Sequence, residues 1–172
     1  GAPLTVSRPE LAQVTEEGLS GTSFEYERFR NVRISLLGKH QVANACTALE
    51  AVRVLRSSGY DISGQAVYDG MARAVWPGRF EVIGRSPVFV MDGAHNPDAA
   101  GRLADSIKLY FTNRRILYIM GILADKDYRK VTELTASLAE RIYTVTPENP
   151  RALPAKELAA CIEETRGESG FT

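Results

Sequence analysis

Three times after residue 88, a short unbroken apolar run is followed by a segment whose apolar residues recur at helical spacing. Val88–Met91 leads into Pro97–Tyr110, where Ala100, Leu103 and Ile107 share a face. Residues 116–120 lead into 127–140, with Val131, Leu134 and Leu138 inward, and residues 142–145 lead into 154–165, with Leu158 and Ile162 inward. Runs without polar alternation suit strands covered on both faces. Alternating them with amphipathic helices predicts right-handed βαβ units around a buried parallel sheet. Three strands make a small sheet of this type, and the tail from 167 to 172 shows neither a cap nor a closing strand.

The first half reads differently. Residues 1–20 carry Pro3 and Pro9 and suggest no firm element. Phe24 and Tyr26 alternate with Glu25 and Glu27, and Val32, Ile34 and Leu36 alternate with Arg33 and Ser35. Period-two patterning of this kind predicts two half-buried strands, paired as a hairpin. A helix is expected over 41–56, with Val42, Ala45, Leu49, Val52 and Leu55 inward and Glu50, Arg53 and Arg56 outward. Gly59 closes it. A second helix is expected over 64–75, capped by Ser63 and stapled by Ile62 against Val67. Trp76-Pro77-Gly78-Arg79 follows. Proline pushes Trp76 towards an extended conformation, so a domain joint is placed here, between residues 1–77 and 78–172.

The 172 residues are 44% hydrophobic and 24% charged, the composition of a globular chain. Twenty-one basic residues balance 21 acidic ones, so nothing in the charge points to nucleic acid or a membrane surface. Cys46 and Cys161 are far apart and lack CxxC spacing, which reads as two buried thiols rather than a zinc site or a disulfide. No basic segment followed by an apolar core opens the chain, and no apolar run is long enough to span a bilayer. A cytoplasmic protein without nucleic-acid or membrane partners is the expectation.

The stretch MDGAHNP at 91–97 concentrates the chemistry. Asn96 suits an N-cap and Pro97 a first helical turn. Asp92 and His95 are thereby held where a strand ends and a helix begins, the usual ligand position in open α/β sheets. Asp92 can accept hydrogen bonds from ribose hydroxyls or cap nearby N–H groups. His95 can meet a phosphate or carboxylate, or be structural. His40 and Asn44 share a face at the start of the first helix, where the Gln41 and Asn44 amides can pair with a purine edge, or the helix start is simply polar, with Asn44 facing solvent or bonding backbone. Arg79, at the joint, suits a phosphate or a salt bridge to Glu81. On the rims of the later strands, Lys126 in GILADKD is either a contact for an anionic substrate group or a solvated charge, and Arg151 is a further anion-site candidate. Gly38-Lys39 is not a Walker loop, because Arg33 and His40 stand where that motif needs glycine and Ser or Thr. A GxGxxG turn is also missing from the first strand, which argues against a dinucleotide-dependent oxidoreductase.

Taken together, GKHQVANACTALEAV, WPGRFE, VMDGAHNPDAA, the DKD loop and RALPAKEL resemble the folylpolyglutamate synthase and dihydrofolate synthase branch of the Mur ligase superfamily, over roughly residues 24 to 160. PGRFE followed by DGAHNP points to the folate branch rather than the cell-wall branch. The resemblance implies a Rossmann-like C-terminal domain preceded by a P-loop ATPase domain, with ATP bound in the cleft and a hinge between them. It implies that Mg²⁺ and ATP phosphorylate a folate or dihydropteroate carboxylate and that L-glutamate attacks the acyl phosphate. Carried over by motif, His40 and Asn44 line the adenine pocket, Arg79 contacts the phosphates, Asp92 contacts the ribose, and His95 acts beside the nucleotide near the incoming glutamate. The P-loop and the acidic Mg²⁺ ligands of that family lie upstream of anything in this chain. Residues 1–77 are therefore expected to be the end of the ATPase domain and 78–172 a truncated glutamate ligase domain, monomeric, without a metal ligand of its own and inactive alone. The alternatives are a non-catalytic nucleotide-binding or interaction module and another Mur-type ligase.

Overall fold

The computed structural model describes residues 4–167 and divides into two compact units, one running to Asp92 and the other starting at Gly93. The expected joint at residue 78 therefore lies inside the first unit, upstream of a strand pair that precedes the division.

In the first unit, β1 (Gln13–Gly18), β2 (Gly21–Tyr26) and β3 (Phe29–Ile34) form an antiparallel meander, with α1 (Lys39–Ser57) and α2 (Gly64–Arg73) following. The hairpin predicted from alternation is β2–β3, in register Thr22↔Ile34 and Phe24↔Val32. One sheet face carries Phe24, Tyr26, Val32 and Ile34 onto Val42, Ala45, Cys46 and Leu49 of α1 and Val67 of α2. β1 was not foreseen, because every residue of it except Gly18 is exposed and no apolar alternation marks it. Ser63 caps α2 through a hydrogen bond from the Ala66 N–H, as its position suggested, and Ile62 packs on the same cluster as Val67.

Two positions on α1 depart from the helical-wheel expectation. Leu55 is 41% exposed, because α1 continues past the end of the sheet that it covers. Glu50 is only 5% exposed: it stands one turn beyond Cys46, on the buried stripe, and its carboxylate meets Arg53 at 2.6 Å.

β4 (Glu81–Arg85) and β5 (Val88–Met91) complete this unit as an antiparallel pair joined at Ser86–Pro87, a cis peptide bond. The predicted strand at 88–91 thus exists, but its hydrogen-bonded partner is β4 rather than the parallel strand expected. Gly84 and the bulge between Val82 and Gly84 interrupt the alternation that would have marked β4.

The second unit holds α3 (Pro97–Tyr110), β6 (Leu117–Met120), α4 (Tyr128–Thr135), β7 (Arg141–Thr144) and α5 (Ala155–Arg166). β6 and β7 pair in parallel, Leu117↔Arg141 to Met120↔Thr144, the ladder that the strand–helix alternation requires. Ala100, Val131, Leu158 and Ile162 pack with Met120 and Ile122. The helix expected through residue 140 instead tightens after Thr135 into a 3-10 turn at Ala136–Leu138. Gly167 caps α5 in the left-handed conformation, so the tail does begin with a cap; residues 168–172 lie outside the described part. Among the described residues, no helix is long and apolar enough to cross a membrane.

Candidate functional site

The joint WPGRFE folds into a turn whose backbone donors are taken up one by one. Gly78 has φ 69°, a conformation that glycine adopts without the Cβ clash other residues meet. The Arg79 N–H donates to the Trp76 carbonyl at 3.3 Å. The Gly78 N–H donates to Glu81 Oε2 at 2.8 Å, and the Phe80 N–H donates to Asp92 Oδ2 at 2.7 Å. Phe80 itself has φ 46°, rare for a bulky residue, and is held there by its buried ring and the Asp92 bond. Arg79 stays at the surface with its guanidinium 5.7 Å from the centre of the Trp76 ring, within cation–π range. Of the two sequence readings for Arg79, the salt bridge to Glu81 is not formed among the described ion pairs, since that carboxylate serves Gly78.

α1 opens after Gly38 and carries the second group. Asn44 is exposed, and its Nδ2 donates to Gln41 Oε1 at 3.0 Å. Gln41 is buried, so of the two amides suggested for a purine edge only that of Asn44 is at the surface. His40 is half-buried at the same helix start and already engaged.

Asp92 is half-buried at the end of β5, and the division between units falls directly after it. His95 lies beyond it, exposed, with Nδ1 at 2.8 Å from the Gly93 carbonyl. A carbonyl only accepts, so Nδ1 carries the proton and Nε2 keeps the lone pair in the neutral ring. Asn96 caps α3 by accepting from the Ala99 N–H at 2.9 Å, with Pro97 in the first turn, as the motif implied.

In the second unit, the loops leaving β6 and β7 are tied together. The Ala124 N–H donates to the Arg151 carbonyl at 2.8 Å, and the Leu153 N–H donates to the Ile122 carbonyl at 2.9 Å. Arg151, suggested as an anion site, is instead paired with Asp125 at 2.7 Å. The Lys126 backbone is pinned between Leu123 and Tyr128, and its side chain is half-buried. Cys46 and Cys161 are free, buried thiols.

Sequence reasoning had no place for Glu81 as a backbone acceptor or for Trp76 as a platform beneath Arg79. The available signal was the chain's one tryptophan standing three residues before an arginine, in a Pro-Gly turn.

A capped helix following a strand-end loop, with a parallel ladder in the same unit, defines an α/β protein. The chain belongs to the Mur ligase family: the glutamate ligase domain of that family matches residues 78–171. It is 34% identical over 149 residues to the dihydrofolate synthase/folylpolyglutamate synthase of Bacillus subtilis, covering 83% of this chain and 35% of that protein. In structure it is similar to E. coli FolC in complex with DHPP and ADP (TM-score 0.73, 34% identity, 88% of this chain and 35% of that one). It is also similar to the Mycobacterium tuberculosis folylpolyglutamate synthase complexed with ADP (TM-score 0.79, 27% identity, 91% and 36%). The chain thus spans about a third of the length of each of these three relatives.

Proposed function

We propose that this chain supplies part of an ATP-dependent ligase that joins L-glutamate to the carboxylate of a folate or dihydropteroate. Residues 1–77 are assigned to the end of the central ATPase domain and 78–172 to the glutamate ligase domain. The observation that carries the reading is the match of residues 78–171 to the glutamate ligase domain, supported by relatives named as folate synthases and solved with ADP.

The chemistry asks for charge control and exclusion of water. A carboxylate is a poor electrophile; transfer of the γ-phosphoryl of ATP makes it an acyl phosphate. The glutamate amine then attacks the acyl carbon, phosphate leaves, and an amide, ADP and phosphate result. Arg79 is suited to the nucleotide's phosphates, because its guanidinium is permanently charged, exposed and carried on a braced turn. In this reading Asn44 and His40 serve the adenine, and Asp92 the ribose. His95 works beside the incoming glutamate through Nε2, and Lys126 meets an anionic substrate group. Mg²⁺ accompanies the nucleotide. Among the described residues, no group of three or more His, Cys, Asp or Glu is placed to hold a metal.

The test is ADP release by the natural full-length protein, supplied with ATP, Mg²⁺, L-glutamate and either dihydropteroate or tetrahydrofolate. ADP formation that requires both glutamate and the pterin is expected. ADP formation independent of both, or none with either pterin, overturns the proposal.

A further inference from the structure

We propose that Trp76 and Glu81 are positioning residues for Arg79, setting its guanidinium in advance for the nucleotide's phosphates. The inference rests on the nucleotide reading above and deepens it.

An exposed arginine is a poor anion-binding group when left alone. Its four side-chain torsions must be ordered when the ligand arrives, and that ordering subtracts from affinity. Two contacts in the structure bear on that ordering. The guanidinium lies 5.7 Å from the centre of the Trp76 ring, and the Arg79 N–H closes the turn back onto the Trp76 carbonyl. Trp76 is 63% exposed, so core packing does not explain where this ring stands, and the Arg79 guanidinium lies over it.

Glu81 presents the sharper puzzle. A carboxylate two residues from a phosphate-binding arginine would repel the ligand and compete for the guanidinium. Among the described ion pairs it is not joined to Arg79; instead Oε2 accepts from the Gly78 N–H at 2.8 Å. That bond holds the one residue of the turn with φ 69°, immediately before Arg79. Losing it frees the turn to swing, and leaves Arg79 to choose its own direction. Glutamine at position 81 keeps a carbonyl oxygen for the same N–H; alanine does not. Phenylalanine at 76 keeps a ring face for the guanidinium; alanine does not.

The experiment measures ATP KM and kcat for the natural full-length protein and for W76A, W76F, E81A, E81Q and R79A, with circular dichroism confirming each fold. W76A and E81A are expected to raise the ATP KM about fivefold with a smaller change in kcat, as loss of a preset binding group should. W76F and E81Q are expected to stay within about twofold of the parent. Placed on the R79A background, W76A and E81A should add nothing further. If R79A leaves the ATP KM unchanged, the nucleotide reading itself fails. If R79A raises it while W76A and E81A do not, the positioning role is overturned. It is equally overturned if both effects persist undiminished without Arg79, or if the conservative variants are as impaired as the alanine ones.

Discussion

Asp92 Oδ2 accepts the backbone N–H of Phe80 at 2.7 Å, joining the end of β5 to the turn that carries Arg79. The residue proposed for the ribose is thus also a bracket for the residue proposed for the phosphates. The two duties separate by substitution. Asp92→Ala strands a buried-side N–H next to a strained Phe80 and is expected to cost about 1–3 kcal/mol of stability. Asp92→Asn keeps an acceptor oxygen and should cost less, while still weakening nucleotide binding. Urea denaturation of both variants checks this. An Asp92→Ala protein as stable as the parent would show that the bond does not brace the turn.

Cys46 is fully buried between α1 and the sheet, and burial pushes its thiol up to about 11, from an ordinary 9.0. A thiol held neutral and out of solvent is neither nucleophile nor metal ligand. It should resist a thiol reagent at pH 8 in the folded protein and react once urea unfolds it. The sign of the linked pH effect follows from the raised value. The unfolded state loses the proton first, so this contribution to stability is intact below about pH 9 and fades as pH rises towards 11. Rapid labelling of Cys46 in the native state, with Cys161 replaced by serine, would contradict the assignment.

Gly121 ends β6 where the strand beside it passes at close range. A Cβ there would lie 2.9 Å from Val145 Cγ2, 3.0 Å from Pro147 Cγ and 3.1 Å from the Val145 carbonyl oxygen. One of those contacts is backbone and another is a proline ring, so the loop cannot yield by turning a flexible side chain. Gly121→Ala is expected to destabilise the second unit by about 1–3 kcal/mol, as overpacking does. A denaturation midpoint unchanged from the parent would refute the close approach.

Much of this chain is legible because local pattern and burial coincide. α1, α2, α3 and α5 lie close to where apolar spacing, Ser63 and Asn96 put them, and β6 and β7 are the parallel pair that strand–helix alternation demands. The departures share a cause: they are set by backbone pairing and burial that the residue types do not signal. β1 is a strand because β2 offers it hydrogen bonds, although its exposed residues carry no alternation. β5 pairs with β4, whose glycine and bulge hide it. Glu50 is buried because Cys46, one turn earlier, faces the core. Asp92, Arg79, Asn44 and His95 were singled out from motif and residue type alone. What each is bonded to is not readable from sequence, because Phe80 is twelve positions from Asp92 and residue types alone do not tell that Glu81 accepts from the Gly78 N–H rather than pairing with Arg79.

Arg79 is proposed to grip an adenine nucleotide, and the dissociation constant of ATP tests this, measured for the natural full-length protein and its Arg79→Ala variant by calorimetry with Mg²⁺ present. Losing a charged hydrogen-bonding group from the phosphate contact is expected to weaken binding by about 10- to 100-fold, with an unchanged melting temperature in the absence of nucleotide. An Arg79→Ala protein that binds ATP as tightly as the parent would contradict the account.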